Sequence, residues 1–135
     1  MLKDSRGAMV LTSSTAGIYG FPNRAPYASA KWGVIGLMKT LAMEWGPAGV
    51  RVNAICPGAV EGPRMTGVME REAAAKGTTF EAIRDGYASG VSMRQLVTAE
   101  DIANMAAFLC SDGAKMVSGQ VMAVDGHTEN PDPKA

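Results

Sequence analysis

Two switches of hydrophobic period in the first half of the chain constrain its fold more than any other feature. Ala8-Met9-Val10-Leu11-Thr12-Ser13 is a short apolar run after a Gly-containing turn, the pattern of a strand buried on both faces. A loop rich in Gly and Pro follows, over residues 15–26. From 26 to 45 the period lengthens: Tyr27, Lys31, Val34, Met38, Leu41 and Trp45 fall at three- and four-residue steps, which predicts a helix. Pro26 suits its first turn, where a missing N–H costs nothing, and Gly46-Pro47 stops it. The period then shortens again in Val50-Arg51-Val52-Asn53-Ala54-Ile55-Cys56, closed by Pro57-Gly58. Strand, helix, strand in that order is the crossover unit of a parallel sheet, and sterics make it right-handed.

The second half continues the alternation less clearly. Weak helical stretches over 66–76 and 80–89, separated by Gly77-Thr78-Thr79, make residues 61–97 read as a mobile helical flap that shapes a substrate pocket. Arg64, Met65, Met69 and Tyr87 are its candidate lining, a mixture that suits many small polar or amphipathic molecules. Thr98-Ala99-Glu100-Asp101 has the form of a capping box, with Asp in the usual Glu position, opening an apolar helix over 102–109. A last strand over 120–124 stops at Asp125-Gly126. The expected fold is therefore α/β, with about three parallel strands and flanking helices in one unit over 1–128. The polar stretch 129–135, with Asn130-Pro131-Asp132-Pro133, is expected to fray.

Composition narrows the partners. Of 135 residues, 47% are hydrophobic and 19% charged, which is globular rather than disordered. Thirteen basic residues balance thirteen acidic ones without clustering, so neither nucleic acid nor an anionic membrane is an expected partner. No apolar run approaches the ~18 residues that span a bilayer, and no signal-peptide h-region follows Met1, so a cytoplasmic protein is expected. Cys56 and Cys110 lie in separate apolar runs and read as two buried, reduced thiols; no metal site is expected. His127, the sole histidine, reads as a surface residue.

Three residues carry candidate chemistry. Tyr27 and Lys31, four apart, share one helix face. Ser14 follows the first strand, at the carboxyl edge of a parallel sheet, where ligands bind. A hydroxyl, a phenol and an ammonium gathered there suit proton transfer to or from a substrate oxygen while a hydride moves at carbon. A free phenol titrates near 10, too high for a base at neutral pH. An ammonium about 4 Å away favours its ionised form by up to ~4 kcal/mol at an effective dielectric near 20. A hydroxyl donor beside it would hold the developing oxyanion. The alternative of a serine hydrolase built on Ser14 lacks a G-x-S-x-G elbow, and His127 lies far along the chain.

Ser13-Ser14-Thr15-Ala16-Gly17, Tyr27-Ala28-Ser29-Ala30-Lys31 and Arg51-Val52-Asn53-Ala54-Ile55-Cys56-Pro57-Gly58 together resemble the classical short-chain dehydrogenase/reductase (SDR) family. Ser118-Gly119-Gln120 and Val124-Asp125-Gly126 resemble that family's closing strand, so the likeness runs along nearly the whole chain. It implies the C-terminal half of a doubly wound, Rossmann-like sheet and an NAD(P)-dependent oxidoreductase that interconverts a secondary alcohol and a ketone. Tyr27 would be the acid/base and Ser14 the oxygen-orienting donor. Lys31 would hydrogen-bond the nicotinamide ribose while tuning Tyr27. Pro57, Gly58 and the backbone of Val60 would face the nicotinamide carboxamide. The resemblance also implies a homodimer or homotetramer for the full-length protein, with Gly33 and Gly36 allowing close helix approach.

The departures are equally specific. No two glycines stand two apart, so the G-x-G turn that receives a pyrophosphate at a helix N-terminus is absent, as are the family's Asn-Asn-Ala-Gly stretch and catalytic asparagine. Gly62 occupies the place of a frequent carboxamide-binding threonine, and His127 that of a frequent glycine. Whether the cofactor is NAD or NADP is not written in this region. Two expectations follow: the catalytic portion of such an oxidoreductase, or a truncated SDR fragment that keeps the site residues yet binds no dinucleotide alone.

Overall fold

The computed structural model describes residues 1–132. Its first turn of helix, α1 (Leu2–Ser5), ends at Arg6 with φ 50° and leads into β1 (Ala8–Thr12). Helix α2 (Ala25–Trp45) crosses over to β2 (Arg51–Pro57), and β3 (Val121–Val124) completes a three-stranded, wholly parallel sheet in the order β1-β2-β3. The expected parallel α/β architecture is present, and its central strand shows why: Val52, Asn53, Ala54, Ile55 and Cys56 are buried without a break. Asn53 is tolerated there because both ends of its amide are used. Its Nδ2 donates to Val117 O at 2.9 Å, and its Oδ1 accepts from Gln120 N at 3.0 Å.

The main core forms where α2 lies on the sheet. Ile35 and Met38 pack against Val50, Val52, Ala54 and Cys56, with Leu41, Trp45 and Leu2 around them. The register, with Met9 opposite Val52 and Thr12 opposite Ile55, lets β2 run two residues beyond the end of β1. Helix α5 (Ala99–Cys110) packs against β1 and β2, and its N-terminus is the expected box: Thr98 Oγ1 accepts from Asp101 N, and Asp101 Oδ2 accepts from Thr98 N. These bonds hold the Asp101 carboxyl below its ordinary range.

The flap differs from the expectation. Its helices are α3 (Pro63–Lys76) and α4 (Phe80–Ser89), and α3 begins three residues earlier than the periodicity suggests because Pro63 takes the first helical position. Met69, Ala73 and Ile83 form a second small core, flanked by Met65, Phe80, Tyr87 and Leu96. Met69 is 2% exposed and so belongs to the flap's own interior rather than to a pocket wall. The pair is pinned to the sheet by parallel bridge Val60–Val97 and antiparallel bridge Val91–Thr128.

Two further expectations need correction. Cys56 is buried, but Cys110 is exposed, on the outward side of the last turn of α5. The stretch expected to fray from 129 is tied at its start: Glu129 N and Asn130 N both donate to Gly90 O, at 2.9 and 3.0 Å. Residues 133–135, the remainder of that stretch, lie outside the described residues. No helix among the described residues is long and apolar enough to cross a membrane.

Candidate active site

The site is built at the carboxyl rim where β1 and β2 end. The ladder runs one residue past β1, with Ser13 N donating to Ile55 O at 2.8 Å, so Ser14 emerges at the level of Pro57. Ser14 is extended (φ −167°, ψ 166°) and caps a turn of 3-10 helix over Thr15–Gly17, its Oγ accepting from Ala16 N at 3.1 Å. One lone pair of that hydroxyl is therefore used inside the protein, and its single O–H is left to donate outward.

Tyr27 and Lys31 come from the first turns of α2, where Pro26 sits at the start of the helix. Tyr27 is 40% exposed. The Lys31 ammonium lies 5.6 Å from the Tyr27 ring centroid and donates to Thr12 O at 3.4 Å. The Lys31 ammonium thereby reaches the end of the strand that leads to Ser14. The phenol and ammonium share one face, as their spacing requires, but the ammonium stands over the ring as a cation on a π face rather than in a pair drawn from spacing alone.

Pro57 ends β2, and Gly58 N donates to Val124 O at 3.0 Å. A side chain at Gly58 would bring its Cβ to 3.0 Å from Asp125 Cβ and 3.1 Å from Asp125 Cα, so glycine spares the two strand ends a crowded contact. Val60 is held through the flanking bonds of its bridge, Val97 N to Ala59 O at 3.0 Å and Glu61 N to Val97 O at 2.8 Å. Asp125, 8% exposed, is consumed by Thr128 Oγ1 at 2.6 Å, Thr128 N at 3.1 Å and His127 N at 3.0 Å. His127 itself is exposed, with Nδ1 3.0 Å from Ser92 Oγ. Its ring is thus partnered away from Ser14, which removes the base that a hydrolase would need.

Sequence reasoning gave Ser13, behind this rim, no role of its own. Ser13 is 3% exposed and Cys56 is fully buried; burial, the larger influence, pushes the Cys56 thiol up despite a hydrogen bond with Ser13. The signal of Ser13 lay in the Ser13-to-Gly17 motif but carries no periodicity. On the flap, the Tyr87 hydroxyl donates to Glu72 Oε2 at 3.0 Å, while Lys76 holds Glu72 Oε1 at 2.6 Å. Burial and that carboxylate push the Tyr87 phenol up to about 12, and the Lys76 bond lowers Glu72. A groove of about 640 Å³ between α5, β3 and the 93–97 segment is lined by Met93, Phe108, Asp125 and His127, and by none of Ser14, Tyr27 or Lys31. Among the described residues no group of His, Cys, Asp and Glu could hold a metal.

A parallel sheet with helices at its carboxyl rim defines the class: part of a doubly wound α/β protein. The family description enoyl-(acyl carrier protein) reductase matches residues 1–127. The chain is 37% identical over 126 residues to the 3-oxoacyl-(acyl-carrier-protein) reductase of Thermotoga maritima, covering 93% of this chain and 47% of that protein. A solved variant of actinorhodin polyketide ketoreductase with NADPH superposes with a TM-score of 0.86 at 32% identity, covering 96% of this chain and 50% of that one. An NAD⁺-bound xylitol dehydrogenase does so with a TM-score of 0.83 at 29% identity, covering 93% and 50%. The chain belongs to the short-chain dehydrogenase/reductase family, and it spans about half the length of the curated relatives it matches.

Proposed function

We propose that this chain supplies the proton-transferring, nicotinamide-facing half of an NAD(P)-dependent oxidoreductase that interconverts a secondary alcohol and a ketone. The observation that carries the reading is the O–H of Ser14, which has no acceptor among the described residues, at a rim that the Lys31 ammonium reaches with the Tyr27 ring beside it. In reduction, Tyr27 donates its phenolic proton to the carbonyl oxygen, and in oxidation it takes the proton back. Ser14 donates a hydrogen bond to the same oxygen as charge develops. Lys31 keeps positive charge against the phenol ring.

The residues present fit one end of the cofactor. The Lys31 ammonium makes a single protein hydrogen bond among the described residues, leaving donors for a ribose hydroxyl, and Pro57, Gly58 and the backbone of Val60 would face the carboxamide. When bound, the nicotinamide supplies or accepts the hydride. No described element offers a Gly-rich turn for the pyrophosphate. The relatives include both an NADPH and an NAD⁺ complex. In an assembled dimer or tetramer, Gly33 and Gly36 suit close helix approach, since a Cβ at either meets nothing within 4 Å.

A second reading, a fragment that binds no dinucleotide alone, is favoured by the half-length coverage and the unpaired outer edge of β1. Titration with NADH and NADPH, followed by nicotinamide fluorescence, separates the two. Saturable binding supports the first, and none supports the second. Given turnover of a ketone, Tyr27→Phe is expected to lower kcat by about 10²- to 10⁴-fold. An unchanged rate would end the proton-transfer role.

A further inference from the structure

We propose that Ser13 is a positioning residue: its buried hydroxyl fixes the turn of α2 that carries Lys31 against the strand end that carries Ser14, with Gly17 as the gap that makes the joint possible. The inference rests on the reading of Ser14, Tyr27 and Lys31 given above, and it concerns a side chain that touches neither substrate nor cofactor.

Four contacts meet at this joint. Ser13 Oγ donates to Lys31 O at 2.8 Å, linking residues 18 apart in the chain, and its own N–H is already committed to Ile55 O at 2.8 Å. Lys31 is therefore held to β1 at both ends, its carbonyl by Ser13 and its ammonium by Thr12 O at 3.4 Å. A Cβ at Gly17 would overlap Ser13 Oγ and stand 2.9 Å from Lys31 O and 3.1 Å from Lys31 C, both backbone atoms that cannot swing aside. Behind the hydroxyl lies Cys56, fully buried on β2.

The consequence is geometric. Ser14 rides on β1, whereas Tyr27 and Lys31 ride on α2, two elements joined by a loop. A strand–helix contact made only of apolar side chains would let α2 slide by fractions of an ångström. The Ser13 bond is directional and shielded from water, so it sets the offset between the two halves of the site. A misplacement of about 1 Å at a catalytic constellation can cost on the order of 100-fold in rate.

The test uses the 135-residue chain and reads geometry first. In the unaltered protein, proton NMR is expected to give a cross-peak between the Lys31 ε-methylene and Thr12. Ser13→Ala, with its melting transition retained, is expected to lose that cross-peak, and Ser13→Thr, which keeps the hydroxyl, to restore it. Gly17→Ala reaches the same joint from the other side and is expected to weaken it too. It serves where Ser13→Ala fails to fold. If the chain turns over a ketone with NADPH, Ser13→Ala is expected to lower kcat about tenfold or more at nearly constant KM. An intact cross-peak in Ser13→Ala or in Gly17→Ala overturns the proposal, as does an unchanged kcat. Because the cross-peak does not depend on turnover, a wild-type chain that reduces nothing counts against the reading of the site, while the positioning role is still decided by NMR.

Discussion

At the scale of single residues, the backbone explains a departure that looked like a loss. Gly62 stands where relatives of the resembled family frequently have a threonine, and it enters α3 with φ 151° and ψ 173°, a conformation close to glycine's own territory. A Cβ there would meet nothing within 4 Å, so the obstacle to a side chain is conformational rather than steric crowding. Gly62→Thr is expected to destabilise the chain by roughly 1–3 kcal/mol, the usual cost of forcing a side chain into a sparsely populated region. A urea midpoint equal to that of the parent would show instead that the loop re-forms around a threonine. Gly58 is constrained differently: a Cβ there would crowd Asp125 at 3.0 Å. Two glycines of one loop thus answer to two distinct physical demands, and composition alone distinguishes neither from tolerance.

Individual elements show which parts of the sequence were legible. The strand–helix–strand unit, the end of α2 at Gly46-Pro47 and the capping box at Thr98 and Asp101 were all readable, because each depends on local chemistry that the residues state outright. Cys110 was misread because it lies in an apolar helix whose outward side is set by what packs against α5, and no period reveals that. Met69 was misread as pocket lining because the flap closes on itself. Tyr87 gives that hairpin a pH signature. Its folded-state pKa, about 12, lies above the ordinary 10, so its contribution to stability is fully present below 10 and is lost as pH rises through 12. Urea midpoints measured across that window are expected to fall less steeply in Tyr87→Phe than in the parent chain. The variant should also start lower by ~1 kcal/mol, having lost the bond to Glu72. Equal slopes would mean that Tyr87 ionises as freely in the folded state as in the unfolded one.

For the molecule as a whole, the decisive fact is what the sheet lacks on one side. Among the described residues β1 is paired only with β2, so one row of its backbone groups faces outward, and parallel strands ordinarily need cover on both faces. Helix α2, which carries Tyr27 and Lys31, leaves Trp32 50%, Leu37 51% and Met43 81% exposed. Exposed apolar side chains together with an open strand edge favour association. The isolated 14.1 kDa chain is therefore expected to self-associate as its concentration rises, as followed by sedimentation. Leu37→Lys combined with Met43→Lys should shift the mass back toward the monomer. Both side chains are exposed, so the pair of changes is expected to alter the stability of the folded chain by only about 0.5 kcal/mol each. Charge on this face acts on contact between copies and leaves the interior formed by Ile35 and Met38 untouched. A parent chain that stays monomeric at every concentration and melts in one sharp transition would mean that the open edge is harmless. The half-length sheet would then stand as a self-sufficient fold.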